Sequence, residues 1–281
     1  MIATAPLSAP RAVAAMPSRR RLLDLSVTLE PSPAEVVPVA IERITHAQGG
    51  AHLAELVAVN RDLLPEGLAW ASERVNAVTH SGTHLDAPYH YAPTCGGRPA
   101  RTVDELPLEW FWGRGVKIDV SQGEGDLVEI EEILAFEGSI GRALAPGDIV
   151  LFRTGAEEFH GCPEFPGLGR GLAPEVVRLL VERGVRTFGT DAWSIDPPIP
   201  RMKDRAAVLG ADSVWAAHYV GRELEFCVLE RLTNLALLPA DGFEVSCFPV
   251  KIAGASAGWV RAVAFLPQDG SPSSNPFEVV S

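Results

Sequence analysis

The stretch His80-Ser81-Gly82-Thr83-His84-Leu85-Asp86-Ala87-Pro88-Tyr89-His90-Tyr91 crowds three imidazoles and a carboxylate together. The chain has only seven histidines, and the other four, His46, His52, His160 and His218, are scattered. Imidazoles beside a carboxylate are the donor set of a metal site or an acid–base site. His80 and His84 are four apart, a spacing that would stack them on a helix. Gly82 between them and Pro88 after them favour a strand end or a loop instead. In extended chain His84 and Asp86 point to the same side. Gly82 lets the backbone bend and bring His80 toward the same point. Two imidazoles and one carboxylate then form an open, three-ligand site with room for water, as in catalytic metal centres. Zn²⁺ and Mn²⁺ both suit these donors. A bound metal lowers the pKa of its water to roughly 7. His90, with an ordinary pKa of about 6.5, is the candidate to move protons. The competing reading is a polar patch that holds no metal.

Working outward, the 281 residues suffice for one large domain or two small ones, with 47% hydrophobic and 21% charged residues. A net charge of −12 without a basic stripe argues against nucleic acid. No apolar run approaches the roughly 20 residues of a membrane span. Cys95, Cys162, Cys227 and Cys247 are far apart and form no C-x-x-C pair, which fits free thiols in a reducing cytoplasm. Residues 1–20 carry three arginines, three prolines and no acid, and read as a flexible N-terminal extension. Residues 21–281 read as the folded domain.

The pattern of alternation predicts strands over residues 21–29, 74–79, 115–120, 149–153, 186–189, 226–229, 245–252 and 259–265. Helical spacing predicts helices over 52–64, 128–136, 174–183 and 212–219. Strands and helices mix without a regular βαβ rhythm, and no G-x-G-x-x-G follows a strand. A single α/β domain with a large mixed sheet results, without a dinucleotide site.

His80-x-Gly-Thr-His84-x-Asp86-x-Pro88-x-His90 resembles the signature of the cyclase family of metal-dependent hydrolases, which includes bacterial kynurenine formamidase and isatin hydrolase. The family's following aromatic is Tyr91 here rather than Phe. Gly189-Thr-Asp191-Ala-Trp-Ser-Ile-Asp196-Pro is similar to its G-T-D-x-x-S-x-D-P segment. His218 followed by Glu230-Arg-Leu-Thr-Asn234-Leu is similar to its H…E-x-L-x-N-L segment. The resemblance implies that His80, His84 and Asp86 hold a first metal. In formamidase-like members Asp86 would bridge to a second metal held by His218 and Glu230, whereas isatin-hydrolase-like members use one. It implies His90 as general base or proton shuttle, and a mixed α/β fold with a barrel-like central sheet of the swivelling β/β/α type. It also implies a homodimer or higher homo-oligomer whose partner chain can border the site. Asp191 and Asp196 read as turn organisers rather than catalysts. The stretches 30–70 and around 109–112 are longer than in compact formamidases, so the small-molecule substrate is not carried over. Trp110, Trp112, Trp193 and Trp215 are each open to substrate stacking, core packing or a dimer contact.

The leading function is hydrolysis of an amide or lactone, with metal-activated water and His90 moving a proton to the leaving group. The alternative is a metal-dependent cyclase or dehydratase acting on a polyketide-like intermediate. A non-catalytic metal scaffold is the third reading, and His90 beside three ligands argues against it.

Overall fold

The computed structural model describes residues 20–267. The expected N-terminal extension, except Arg20, lies outside the described residues, as do residues 268–281.

Nine strands form one sheet. Their spatial order is Arg21–Asp24, Val263–Leu266, Phe243–Ser246, Trp112–Asp119, Asp148–Arg153, Thr187–Thr190, Cys227–Glu230, His84–Asp86 and Ala257–Trp259. The four from Trp112–Asp119 to Cys227–Glu230 run parallel to one another. The flanking strands pair antiparallel. Parallel strands are covered on both faces and read as continuous apolar runs. Ile149, Val150, Leu151 and Phe152 are accordingly all buried. Their side chains alternate between two cores. Val150 and Phe152 join Val116, Ile118, Phe188 and Val228 on the helix-covered face. Ile149 and Leu151 join Leu229, Phe243 and Val245 on the other. Past its first strand the chain returns to the site end of the sheet: Ser26 bridges Leu232, and the Leu25 carbonyl accepts from Thr233 N at 3.0 Å. The sheet thus curls, and the fold is the mixed α/β domain with a barrel-like sheet expected from the sequence.

Two helices seal the first core. Ile130–Ile140 starts on a capping box between Glu129 and Glu132 and stops at Gly141, whose φ is 71°. Pro174–Glu182 has proline at its first position and buries Val176, Val177, Leu180 and Val181.

Elsewhere the boundaries differ from the sequence expectations. The helix expected over 52–64 runs from His46 to Leu56, because Thr45 and Gln48 form a capping box ahead of it. Gly49 and Gly50 lie inside that helix. A Cβ on Gly49 would sit 1.9 Å from the Trp70 carbonyl oxygen, so close packing requires the glycine there. The strand expected over 74–79 is Ser72–Asn76, paired antiparallel with Ala40–Ile44 in a two-stranded sheet apart from the main one. The helix expected over 212–219 is broken into Ala211–Ser213 and Ala216–Tyr219 by Trp215, whose φ is 56°. Ile199–Leu209 forms a helix that the pattern did not reveal, since it buries no residue to mark one face. After residue 240 the described residues hold three short strands, Phe243–Ser246, Ala257–Trp259 and Val263–Leu266, where two longer ones were expected.

Candidate metal centre

The strand His84–Asp86 sends Leu85 into one core and turns His84 and Asp86 to the opposite face. Its antiparallel partner sets Glu230 directly across from His84. Gly82, at φ 60°, makes the turn that returns His80 over the strand. Pro88 opens the short helix Pro88–Tyr91 that carries His90, and Ala216–Tyr219 carries His218. These five short elements bring all six candidate residues, His80, His84, Asp86, His90, His218 and Glu230, to one point.

Asp86 is the centre. Its Oδ1 is 2.8 Å from His80 Nδ1 and 3.4 Å from His84 Nε2. Its Oδ2 is 3.8 Å from His218 Nε2 and 3.9 Å from His90 Nε2. Glu230 spans the pair: Oε2 is 3.6 Å from His84 Nε2, and Oε1 is 3.6 Å from His218 Nε2. Donors bound tetrahedrally at zinc lie ~3.4 Å apart, since Zn–N is about 2.0–2.1 Å. Most of these separations are therefore ligand spacings rather than hydrogen-bond spacings.

The second nitrogen of each histidine ligand is engaged. His84 Nδ1 donates to the Gly82 carbonyl at 2.9 Å, leaving the Nε2 lone pair facing Asp86 and Glu230. His218 Nδ1 bonds Asp196 Oδ2. His80 Nε2 lies 3.0 Å from Ser256 Oγ. Such partners fix tautomer and ring orientation at metal sites. What remains is a set of buried polar atoms without hydrogen-bond partners: His84 Nε2, both Asp86 oxygens and His218 Nε2. Buried polar atoms are normally satisfied. Four orphans converging on one point, from nitrogen and carboxylate donors, fit one or two divalent ions. The two ligand groupings that close geometrically are His80–His84–Asp86 and Asp86–His90–His218. Distance alone thus admits His90 beside Glu230 as a partner of the second group.

Burial would lower the pKa of His218, but its hydrogen bond to Asp196 and the nearby Asp86 and Glu230 carboxylates push it up to about 10. His84 is raised too: burial opposes its charge, and Asp86 and Glu230 outweigh burial. Burial, helped by the Asp86 charge, raises Glu230. Burial would also raise Asp86, but the surrounding histidines hold it well below the ordinary range. His90 goes the other way. Burial, with His80, His218 and His84 adding to it, lowers its pKa to about 4. A metal must therefore displace a proton from His218, whose metal-free pKa lies above neutrality. Metal affinity should weaken as pH falls from 8 to 6, by about tenfold per pH unit for each proton displaced. Chelator-competition titrations at several pH values check this; a flat profile would contradict it.

Asp191 organises a turn as expected, accepting from Thr154 N, Thr154 Oγ1 and Gly155 N. Asp196 does more than organise a turn. It accepts from Ala217 N and His218 N and also holds the His218 ring. Sequence reading missed that role, because a turn aspartate and a histidine-orienting aspartate look alike in one dimension. It also missed Ser256, a lone serine in a small-residue run. Of the four tryptophans considered, Trp215 touches the cluster, stacked on His218 and edge-on to His90. Trp110 lies under Arg101, Trp112 packs on Phe265, and Trp193 faces Arg231.

The chain is 32% identical to the kynurenine formamidase of Salinibacter ruber over 186 residues, 66% of this chain and 75% of that protein. It is 32% identical to the kynurenine formamidase of Paracidovorax citrulli over 188 residues, 67% of this chain and 76% of the relative. A structure of isatin hydrolase A from Labrenzia aggregata bound to benzyl benzoate superposes with a TM-score of 0.69. It shares 29% identity, covering 88% of this chain and 94% of that one. Isatin hydrolase A from Ralstonia solanacearum gives 0.70 at 27% identity, covering 91% and 100%. The Cyclase family model matches residues 23–197, which include His80, His84, Asp86 and His90 and stop short of His218 and Glu230. With that match over more than half its length and those relatives, the chain belongs to the cyclase family of metal-dependent hydrolases.

Proposed function

We propose that this hydrolase cleaves the C–N bond of a small amide, formamide or cyclic amide, with lactones the next substrates to try. The observation that carries the reading is the set of unpartnered buried donors around Asp86, next to a neutral imidazole. The kynurenine formamidase and isatin hydrolase names of its relatives support the amide class. His80, His84 and Asp86 would hold one ion, and Asp86, His218 and Glu230 a second. Zn²⁺ and Mn²⁺ suit this nitrogen–oxygen set. When bound, the metal polarises the scissile carbonyl and acidifies water.

The rest is done by the chain. Asp86 and Glu230 supply negative charge at the centre of the site. His84, Asp86, His218 and Glu230 are buried, so approach from solvent passes His80 and His90, each 25% exposed. His90 is uncharged at neutral pH and accepts a proton at Nε2 as water oxygen bonds to the carbonyl carbon. The Asp86 carboxylate, 3.9 Å away, stabilises the imidazolium that forms. His90 then returns that proton to the departing nitrogen as the C–N bond breaks. His90→Ala should lower kcat by about 10²- to 10⁴-fold while metal content is unchanged. Loss of metal in that variant would make His90 a ligand instead.

The test of the reaction class is a panel of aryl formamides, cyclic imides and lactones in ¹⁸O-labelled water. One label entering the product acid is expected. A ring-closed or dehydrated product without label would identify the cyclase or dehydratase reaction instead.

We also propose a homodimer working in the cytoplasm on a free small molecule. Leu56 and Leu63 are 76% and 74% exposed on the segment around the His46–Leu56 helix, an apolar surface that a second copy would cover. The four cysteines are free, as in a reducing compartment. No helix among the described residues is long and apolar enough to cross a membrane.

A further inference from the structure

Trp215 stands in a backbone conformation that tryptophan rarely adopts. Its φ is 56° and ψ 31°, the left-handed region that favours glycine. Strain of this kind persists only where the surroundings enforce it, and it gathers at functional sites. The consequence of the conformation here is visible. The indole lies flat on the His218 ring, with centroids 4.5 Å apart and planes 18° apart. Its edge meets His90 at 5.2 Å and Tyr219 at 5.3 Å. The Trp215 carbonyl accepts from Tyr219 N at 3.0 Å, which ties the strained residue into the turn that carries His218.

Asp196 alone does not fix His218. A hydrogen bond at Nδ1 sets the direction of that nitrogen but still tolerates limited rotation about the side-chain torsions, since a hydrogen bond accepts a range of angles. Rotation would swing Nε2 away from Asp86 Oδ2 and Glu230 Oε1. A flat aromatic surface against the ring face removes this freedom. On the opposite flank Tyr91 meets His218 edge-on at 5.4 Å. The imidazole is thus held at its nitrogen by Asp196 and on its face by Trp215.

We infer that Trp215 is a positioning residue for the second metal: its left-handed backbone presses the indole onto His218 and aims Nε2 at the ion shared with Asp86 and Glu230. This rests on the proposed role of His218 as a ligand. The role asks for a flat ring in that place, so phenylalanine should substitute and alanine should not. Glycine relieves the backbone and removes the ring, which separates strain from stacking.

The experiment is zinc titration of metal-free protein against a chromophoric chelator, with tryptophan fluorescence followed in parallel. Wild type, Trp215→Phe, Trp215→Ala, Trp215→Gly and His218→Ala are compared. Wild type should take up two ions. Trp215→Phe should hold both within about threefold of wild type. Trp215→Ala and Trp215→Gly should weaken the second by about 10- to 100-fold, the usual effect of losing an outer partner of a ligand, and leave the first unchanged. Occupancy of the second site should change the fluorescence of wild type and not that of Trp215→Phe. Glycine suits the backbone at this position, so Trp215→Gly keeps the comparison available if the alanine variant does not fold. Unchanged second-site affinity in both ring-deleted variants, with the site lost in His218→Ala, would overturn the role of Trp215 alone. Unchanged binding in His218→Ala would overturn the ligand assignment and this inference with it.

Discussion

Asp86→Asn is expected to leave the protein folded, largely metal-free and inactive, with kcat reduced on the order of 10⁴-fold or more, equivalent to at least about 5 kcal/mol of barrier. The substitution preserves shape and removes charge. Asp86 turns its two oxygens to the two halves of the site, Oδ1 toward His80 and His84 and Oδ2 toward His218 and His90. An asparagine presents one carbonyl oxygen to one half and an NH₂ group to the other. That amide donor would point at nitrogen atoms whose lone pairs the metal needs. Both ions should therefore be lost together, whereas Glu230→Gln should weaken binding less, since each Glu230 oxygen approaches one histidine, His84 or His218, where each Asp86 oxygen approaches two. Circular dichroism should be unchanged in Asp86→Asn. Its melting temperature should no longer fall on chelation, while that of wild type should, because a ligand that binds only the native state stabilises it by mass action. Wild-type metal content and activity in Asp86→Asn would contradict the assignment.

Arg170→Met should cost about 3 kcal/mol of stability, among the larger effects for one side chain away from the site. Arg170 is buried, and its guanidinium organises the loop that follows the Trp112–Asp119 strand. Nε donates to Gly125 O at 3.1 Å, Nη1 to Val120 O at 3.3 Å, and Nη2 to Glu124 O at 2.7 Å and to Leu127 O. Nη1 and Nη2 also grip Glu132, at 2.8 and 3.0 Å. Methionine fills the volume but leaves four carbonyls and one carboxylate without these donors. Arg170→Lys should rescue little, since a single ammonium cannot reproduce a planar fork. The effect should reach the site as well. A Cβ on the next residue, Gly171, would lie 2.5 Å from the carbonyl carbon of Asp196, so the Arg170 loop packs directly on the segment that holds His218. Urea unfolding of the chelated proteins measures the stability loss. A difference below about 1 kcal/mol would place Arg170 among ordinary surface ion pairs.

Much of the site was legible because its densest part is local. His80, His84, Asp86 and His90 lie within one strand and its two flanking turns, so alternation, one glycine and one proline suffice to bring them together. His218 and Glu230 were legible only by resemblance. Nothing in the local pattern says that the strand ending at Glu230 pairs antiparallel with His84–Asp86, since pairing across that separation is set by the whole sheet. Asp196 and Ser256 escaped for the same reason: their partners are distant in sequence, and a buried carboxylate or hydroxyl carries no periodic mark. The fold shows a matching division. Apolar strands such as Asp148–Arg153 and the amphipathic Pro174–Glu182 helix announce themselves by period. Ile199–Leu209 does not, because it buries nothing. Trp215 was visible as an aromatic residue near His218, but its left-handed backbone, which breaks the expected helix, was not.

The most direct test of the metal centre is elemental analysis of the tag-free wild-type protein and of Asp86→Asn, neither exposed to chelator. Wild type should carry zinc or manganese, approaching two ions per chain, and Asp86→Asn little or none. A folded wild type that carries no metal and takes up neither zinc nor manganese would contradict the metal-centre assignment, as would an Asp86→Asn protein with the full wild-type complement.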